Sequence, residues 1–278
     1  MKGSWQRLVT WLEIAMEEPK KLHDADSNVA SLNERKGLAR GVYLLPNLIT
    51  TGALFSGFYA IIAAMSGTLE NAAIAIVIAG FLDALDGRIA RLTNTQSEFG
   101  LHYDSLSDLV AFGVAPAVLM FSWVLSDLGK IGWMIAFLYM ACAALRLARF
   151  NTAPDGKIFS GLPSPAGAGI LSSMVWTWVD NFDPVVSIQF SVFMAVFVAV
   201  LALLMVSNIR YYSPKNLNLK GRVPFIYMLG IVLIFVVVAV YPPGVLFGLG
   251  FVYGCSGPIR ALFRKKTPEQ NDIGGPEV

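Results

Sequence analysis

Four aspartates, Asp83, Asp86, Asp104 and Asp108, stand in the stretch F-L-D-A-L-D-G-R-I-A-R-L-T-N-T-Q-S-E-F-G-L-H-Y-D-S-L-S-D. Asp83 and Asp86 are three residues apart, and Asp104 and Asp108 four apart, so on helices each pair occupies one sector. The segment 92–100, with Thr93, Asn94, Thr95 and Gly100, is the short connection that brings the two faces together. Two helices each presenting two carboxylates make a nest of hard oxygen ligands. That suits Mg²⁺ or Mn²⁺, which commonly share their coordination with substrate phosphates. Gly87 and Gly100 leave room for a ligand or a close backbone approach. Arg91, one turn past Asp86–Gly87, can present a planar fork to phosphate. The plain alternative is a set of ordinary charges at helix ends. It accounts for one or two such aspartates but poorly for four in paired helical spacing, with two glycines and an arginine at fixed offsets.

The surroundings sharpen the point. The chain has 278 residues, 55% hydrophobic and 14% charged, with a mean hydropathy of +0.60. That balance belongs to a membrane protein and excludes a disordered chain. An ionised carboxylate at the centre of a spanning helix costs about 2.5–3.5 kcal/mol. Four near one membrane edge cost less each but repel one another, so the sequence asks for a counter-charge. A net charge of +2 gives no support for a nucleic-acid partner. Two histidines, His23 and His102, are too few for a histidine-based metal cluster. Cys142 and Cys255 fall in separate apolar runs and read as small hydrophobes.

The elements that must position these residues are membrane helices. A span needs about 20 mostly apolar residues, and eight segments qualify: roughly 46–66, 70–91, 104–126, 130–149, 163–181, 186–208, 223–241 and 243–263. The last two are one apolar run split at Tyr241-Pro242-Pro243-Gly244, where proline favours a tight turn between two helices. Asn181-Phe182-Asp183-Pro184 is another turn signal. The fold expected is thus an all-α, polytopic bundle of about eight transmembrane helices. An even number of spans puts both termini on one side, and every lysine and arginine except Lys130 then falls on that side. The positive-inside rule makes it the cytoplasm of a multi-pass inner-membrane protein, with the aspartate cluster at the cytoplasmic face.

Residues 1–40 form an arm without the uninterrupted apolar core of a signal peptide; Glu13, Glu17 and Glu18 interrupt it. Trp5, Leu8, Val9, Leu12 and Met16 recur at helical spacing, as an amphipathic helix would place them. Its apolar face has three outlets: the membrane interface, the body of the protein or a second subunit. Residues 19–40 read as a polar linker, 41–265 as the membrane domain and 266–278 as a disordered tail. Gly52, Ser56 and Gly57 read as close-packing positions on the first span. Trp123, Trp133, Trp176, Trp178, Tyr211 and Tyr212 read as an interface belt.

The pattern D-x2-D-G-x2-A-R-x8-G-x3-D-x3-D is matched at Asp83, Asp86, Gly87, Ala90, Arg91, Gly100, Asp104 and Asp108. It resembles that of the CDP-alcohol phosphotransferases, integral membrane enzymes of phospholipid synthesis. Other segments are similar to bacterial and archaeal phosphatidylserine synthases: P-N-L-I-T from Pro46, D-S-L-S-D-L-V-A-F-G-V-A-P from Asp104, R-L-A-R-F-N from Arg146 and G-L-P-S-P from Gly161. The resemblance covers roughly residues 40–265. It implies two divalent cations, Mg²⁺ or Mn²⁺: one held by Asp83, Asp86 and Asp104, the other by Asp83, Asp104 and Asp108. It further implies that Gly87, Arg91, Ser97 and Gly100 meet the CDP portion of CDP-diacylglycerol, with Asn47 and Thr50 nearby, and that Asp108 is the general base. A homodimer is likewise implied by the resemblance alone.

Arg146 and Arg149, three residues apart near the cytoplasmic end of the fourth span, have two readings. On spacing alone they are positive anchors for lipid headgroups. The resemblance of R-L-A-R-F-N instead implies a guanidinium pair that receives the carboxylate of L-serine, with Asn151 or Lys157 close by. The reaction implied is transfer of the phosphatidyl group from CDP-diacylglycerol to the serine hydroxyl, giving phosphatidylserine and CMP. Two other readings stand beside it. One is a synthase of the same family using glycerol 3-phosphate or an inositol phosphate. The other, from a different class, is a divalent-cation transporter, which the clustering of the aspartates at one membrane face disfavours.

Overall fold

A chain in lipid must close its backbone hydrogen bonds internally, and long apolar runs do so as helices. In the computed structural model all regular structure among the described residues is helical; these are 45–93, 95, 97–152, 161–182, 187–209, 211, 230, 233 and 236–263. The helices are α1 (Leu45–Met65), α2 (Leu69–Leu92), α3 (Glu98–Leu128), α4 (Lys130–Thr152), α5 (Ser164–Asn181), α6 (Ile188–Val206) and α7 (Pro242–Phe263). Residues 236–240 are also helical and end at Tyr241, just before the two prolines that open α7. The amphipathic arm, the tail from 266 and most of the expected span 223–241 lie outside the described residues, as does Lys157.

Helix α5 is the hub. It packs against α2 on one side and α7 on another, while α4 packs against α6 and α3 touches α2, α4, α5 and α6. Its buried positions include Ser164, Gly167, Ala168, Ser172 and Ser173. Small side chains let neighbouring backbones approach where lipid supplies no hydrophobic drive for association. Helix α1 uses the same device: a Cβ at Gly57 would lie 2.7 Å from the Cα of Ala111 on α3. The Ser56 hydroxyl donates to the Ala75 carbonyl of α2 at 2.7 Å.

Among the described residues, four helices are long and apolar enough to cross a membrane: α1, α3, α4 and α6. The sequence reading expected eight such spans. Helices α2, α5 and α7 have 24, 18 and 22 residues but are not among these four. Helix α2 carries Asp83, Asp86, Arg88 and Arg91, and α5 is shielded by other helices and so need not be greasy. Helix α3 also begins at Glu98, six residues before the expected start of the third span at 104. The Ser97 hydroxyl caps its first turn by accepting the Gly100 N–H at 3.0 Å. The connection is therefore shorter than 92–100, and Gly100 is helical.

Two stretches of α3, Leu109–Val114 and Phe121–Leu125, widen into π-helix. Pro116 explains the first. Proline has no N–H to give the Phe112 carbonyl, and its ring crowds that oxygen. An extra residue in the turn relieves the crowding, and the Ala115 N–H bonds back to Val110. The aromatic belt needs correction. Trp123 is buried and meets Trp178 and Phe190 with ring centroids 5.9 and 5.8 Å apart. Tyr211 is buried too, donating to the Gly254 carbonyl at 3.1 Å. Trp133, by contrast, is exposed.

Candidate active site

The stripe that buries α2 leads directly to its carboxylates. Ala72, Ile76 and Ala79 are buried at helical spacing, and the next members of that series are Asp83 and Asp86. Helix α3 mirrors it from the other end: buried Ala115 and Ala111 are continued by Asp108 and Asp104. The two carboxylate pairs thus sit where two packing stripes run out, toward the C-terminal end of α2 and the N-terminal end of α3. One carboxylate oxygen each from Asp83, Asp104 and Asp108 lie within 4.8 Å of one another.

As bare carboxylates at that spacing the three repel one another, and a proton or a cation among them relieves the repulsion. With only hard oxygen donors in the cluster, the residues fit a Mg²⁺- or Mn²⁺-sized ion. Asp86 stands outside the triad. It is only 4% exposed, and its Oδ2 accepts the Thr50 hydroxyl of α1 at 2.6 Å.

Next to the carboxylates is a cavity of about 240 Å³ between α1, α2 and the start of α3. Asn47, Thr50, Gly87, Arg91, Ser97 and Gly100, the six residues expected to meet CDP-diacylglycerol, all line it, with Asp86 and Asp104. Thr95 and Leu101 also line it; neither had been singled out for a role. The two glycines keep it open. A Cβ at Gly100 would sit 3.1 Å from Ser97 Oγ and 3.3 Å from Asn47 Oδ1, so two polar groups converge over bare backbone. A Cβ at Gly87 would lie 3.6 Å from Nη2 of Arg91, whose guanidinium therefore reaches back across the Asp86–Gly87 turn.

The structure separates the three residues expected around serine. Arg146 is half-buried and within electrostatic reach of Asp108. Its Nη1 donates to the Ser164 hydroxyl at 2.9 Å, while its buried Nε has no hydrogen-bond partner among the described residues. Arg149 turns the other way, with Nη1 donating to the Val206 carbonyl at 3.2 Å and to Asn208 Oδ1 at 3.3 Å. Asn151 pairs with Ser105 of α3, its Nδ2 lying 2.9 Å from Ser105 Oγ. Ser164 had no assigned role. Its place follows from Pro163 and Pro165, which start α5 there, and from Gly161, whose φ of +88° turns the chain onto the end of α6. In that turn the Gly161 and Leu162 N–H groups donate to the Ile209 and Leu204 carbonyls at 2.8 and 2.9 Å.

Comparison with known proteins identifies the family. Residues 43–238 match the CDP-alcohol phosphatidyltransferase family. A Helicobacter pylori CDP-diacylglycerol–serine O-phosphatidyltransferase is 37% identical over 227 residues, which is 80% of this chain and 92% of the relative. A Mycobacterium tuberculosis protein of the same name is 40% identical over 139 residues, 46% of this chain and 48% of the relative. An archaetidylserine synthase of Methanothermobacter thermautotrophicus is 37% identical over 170 residues, 60% of this chain and 69% of the relative.

Proposed function

The chain belongs to the CDP-alcohol phosphatidyltransferase family, and from that premise we propose that it transfers the phosphatidyl group of CDP-diacylglycerol to the hydroxyl of L-serine, giving phosphatidylserine and CMP. The observation that carries the reaction type is the convergence of Asp83, Asp104 and Asp108 beside a cavity lined by Arg91, Asn47 and Ser97. The choice of serine is supported by relatives named for serine or archaetidylserine synthesis at 37% identity.

In this reading Asp83, Asp86, Asp104 and Asp108 hold divalent cations, which when bound neutralise the diphosphate and stabilise the departing CMP. The chain's own groups do the rest. Arg91, lying over Gly87, gives its planar fork to a diphosphate oxygen. Asn47 and Ser97 fix the nucleotide against the glycine floor. Asp108 takes the proton from the serine hydroxyl as that oxygen attacks the β-phosphorus, the one esterified to diacylglycerol, and the phosphoanhydride bond to CMP breaks. Arg146, within reach of Asp108 and with Nε uncommitted, receives the serine carboxylate. The amino acid is then held with its hydroxyl toward the base. Cytoplasmic placement of this face is supported by the segregation of basic residues; a homodimer is supported by family resemblance only.

The test is an acceptor panel. Purified protein in detergent, given CDP-diacylglycerol and Mn²⁺ or Mg²⁺, should release CMP with L-serine and not with glycerol 3-phosphate or an inositol phosphate. Release with a phosphorylated acceptor alone would remove serine from the reading while leaving the phosphotransfer intact.

A further inference from the structure

We propose that Thr50 is a positioning residue: its hydroxyl fixes the Asp86 carboxylate rather than binding the nucleotide. The proposal rests on the reading that the aspartates hold divalent cations.

Three of the buried polar residues form one chain through three helices. Thr50 is 4% exposed, Asp86 4% and Ser107 2%. The Thr50 hydroxyl lies 2.6 Å from Asp86 Oδ2, and the Ser107 hydroxyl donates to the Thr50 carbonyl at 3.2 Å. Thr50 thus joins α1 to α2 through its side chain and to α3 through its backbone, at a residue lying between Asp104 and Asp108.

A threonine inside a helix ordinarily gives its one hydroxyl hydrogen to the carbonyl four residues back. Here that oxygen, on Pro46, is 3.0 Å away. The Asp86 oxygen is 0.4 Å nearer (3.0 against 2.6 Å) and charged, and an O–H to carboxylate bond at about 2.5–2.7 Å is the strong kind. The carboxylate therefore takes the hydrogen. With it committed there, Thr50 has no proton left for a nucleotide in the adjoining cavity. Asp86, which also accepts the Gly87 backbone N–H, is thus held at Oδ2 by Thr50 with carboxylate lone pairs still able to serve a cation. A carboxylate outside the triad of Asp83, Asp104 and Asp108 is the member of the set most in need of an external hold. The partners that orient metal ligands commonly contribute about 10- to 100-fold in metal affinity or activity.

The experiment compares full-length wild type, Thr50→Val, Thr50→Ser and Ser107→Ala in detergent. Mn²⁺ binding is followed by electron paramagnetic resonance without substrate, and KM for CDP-diacylglycerol is measured at saturating Mn²⁺. Expected is a loss of Mn²⁺ affinity of about 10- to 100-fold in Thr50→Val, an unchanged KM, and restoration by Thr50→Ser. Ser107→Ala should shift Mn²⁺ affinity the same way by less. Thr50→Val with normal Mn²⁺ binding but raised KM overturns the proposal, because Thr50 then touches substrate. So does failure of Thr50→Ser to restore binding. Should Thr50→Val not fold, Ser107→Ala carries the test, and unchanged Mn²⁺ affinity there counts against the chain. Wild type that binds no Mn²⁺ rejects the cation reading itself, and the proposal with it.

Discussion

The carboxylate cluster and the arginine pair differ in how far the protein completes them. On the α2–α3 side, Asp83, Asp104 and Asp108 face one another, an arrangement of like charges that is finished only by something from outside. On the α4 side the cations are already engaged: Arg149 holds the Val206 carbonyl and Asn208, and Arg146 holds Ser164. Val206 is the last residue of α6, and its carbonyl is one that a helix leaves without an internal partner. An arginine there also meets the negative end of the helix dipole. Arg149 is thus part of how α6 ends, whereas Arg146 keeps a donor free. The carboxylate side gathers like charges that suit a cation, whereas the arginine side ties most of its donors to the protein itself.

The strongest way to break this contrast is at Asp108. Asp108→Asn removes the base while leaving a similar shape, and kcat should fall by about 10²–10⁴-fold. Binding of CDP-diacylglycerol, measured by equilibrium titration, should persist. Full turnover in the variant would return Asp108 to a purely ligating role.

Next is the arginine pair, where the two residues should part company. Arg146→Gln removes a charged hydrogen bond to the acceptor, worth about 1.5–3 kcal/mol. That predicts a rise in KM for serine of about 10- to 150-fold, with KM for CDP-diacylglycerol unchanged. Arg149→Gln should instead lower the thermal midpoint and leave KM for serine alone. If the two variants behave alike in serine kinetics, the pair acts as one and Arg149 is not merely part of how α6 ends.

Much of this arrangement is legible in the chain itself. Apolar length places α1, α4, α5 and α6 to within a few residues, because insertion in lipid depends on that same apolar length. The carboxylate spacing selects the face, since a helix turns the same way whatever surrounds it. What the sequence does not carry is the choice among partners in three dimensions. Nothing in R-L-A-R says that one arginine reaches Ser164 and the other the end of α6. Nothing in P-N-L-I-T says that Thr50 prefers Asp86 to its own helix. Pro116 signals an irregular helix but not whether it becomes a kink or a π turn, and nothing local says that Gly57 lets α1 approach Ala111 there. Hydropathy locates α2 and α5 equally well but overstates their apolar character, because α2 carries charge toward a cavity and α5 faces other helices.

That helix contact offers a third test, aimed at the carboxylate side alone. In Gly57→Ala the new methyl meets backbone rather than a flexible side chain, so α1 and α3 must separate. The expected cost is about 1–3 kcal/mol of stability, read as a lower thermal midpoint, with reduced kcat and an unaltered KM for serine. A variant as stable and active as wild type would show that α1 does not back the carboxylates.

The smallest effect is expected where the two sides meet. Asn151 and Ser105 face each other across α4 and α3 at 2.9 Å, one residue from Asp104 on one helix and two from Arg149 on the other. Family resemblance places Asn151 beside the serine substrate; the hydrogen bond instead makes it a tie between the base-bearing helix and the acceptor-bearing helix. A neutral hydrogen bond contributes about 0.5–1.5 kcal/mol net. If the tie is its whole role, Asn151→Ala and Ser105→Ala should each reduce kcat/KM for serine by no more than about tenfold. The double variant should then be no worse than either, because the same bond is lost in all three. If Asn151 touches the substrate, its loss should raise KM for serine beyond what Ser105→Ala does, and the two changes should add. Additivity in that cycle would move Asn151 from the seam between the two sides into the acceptor site beside Arg146.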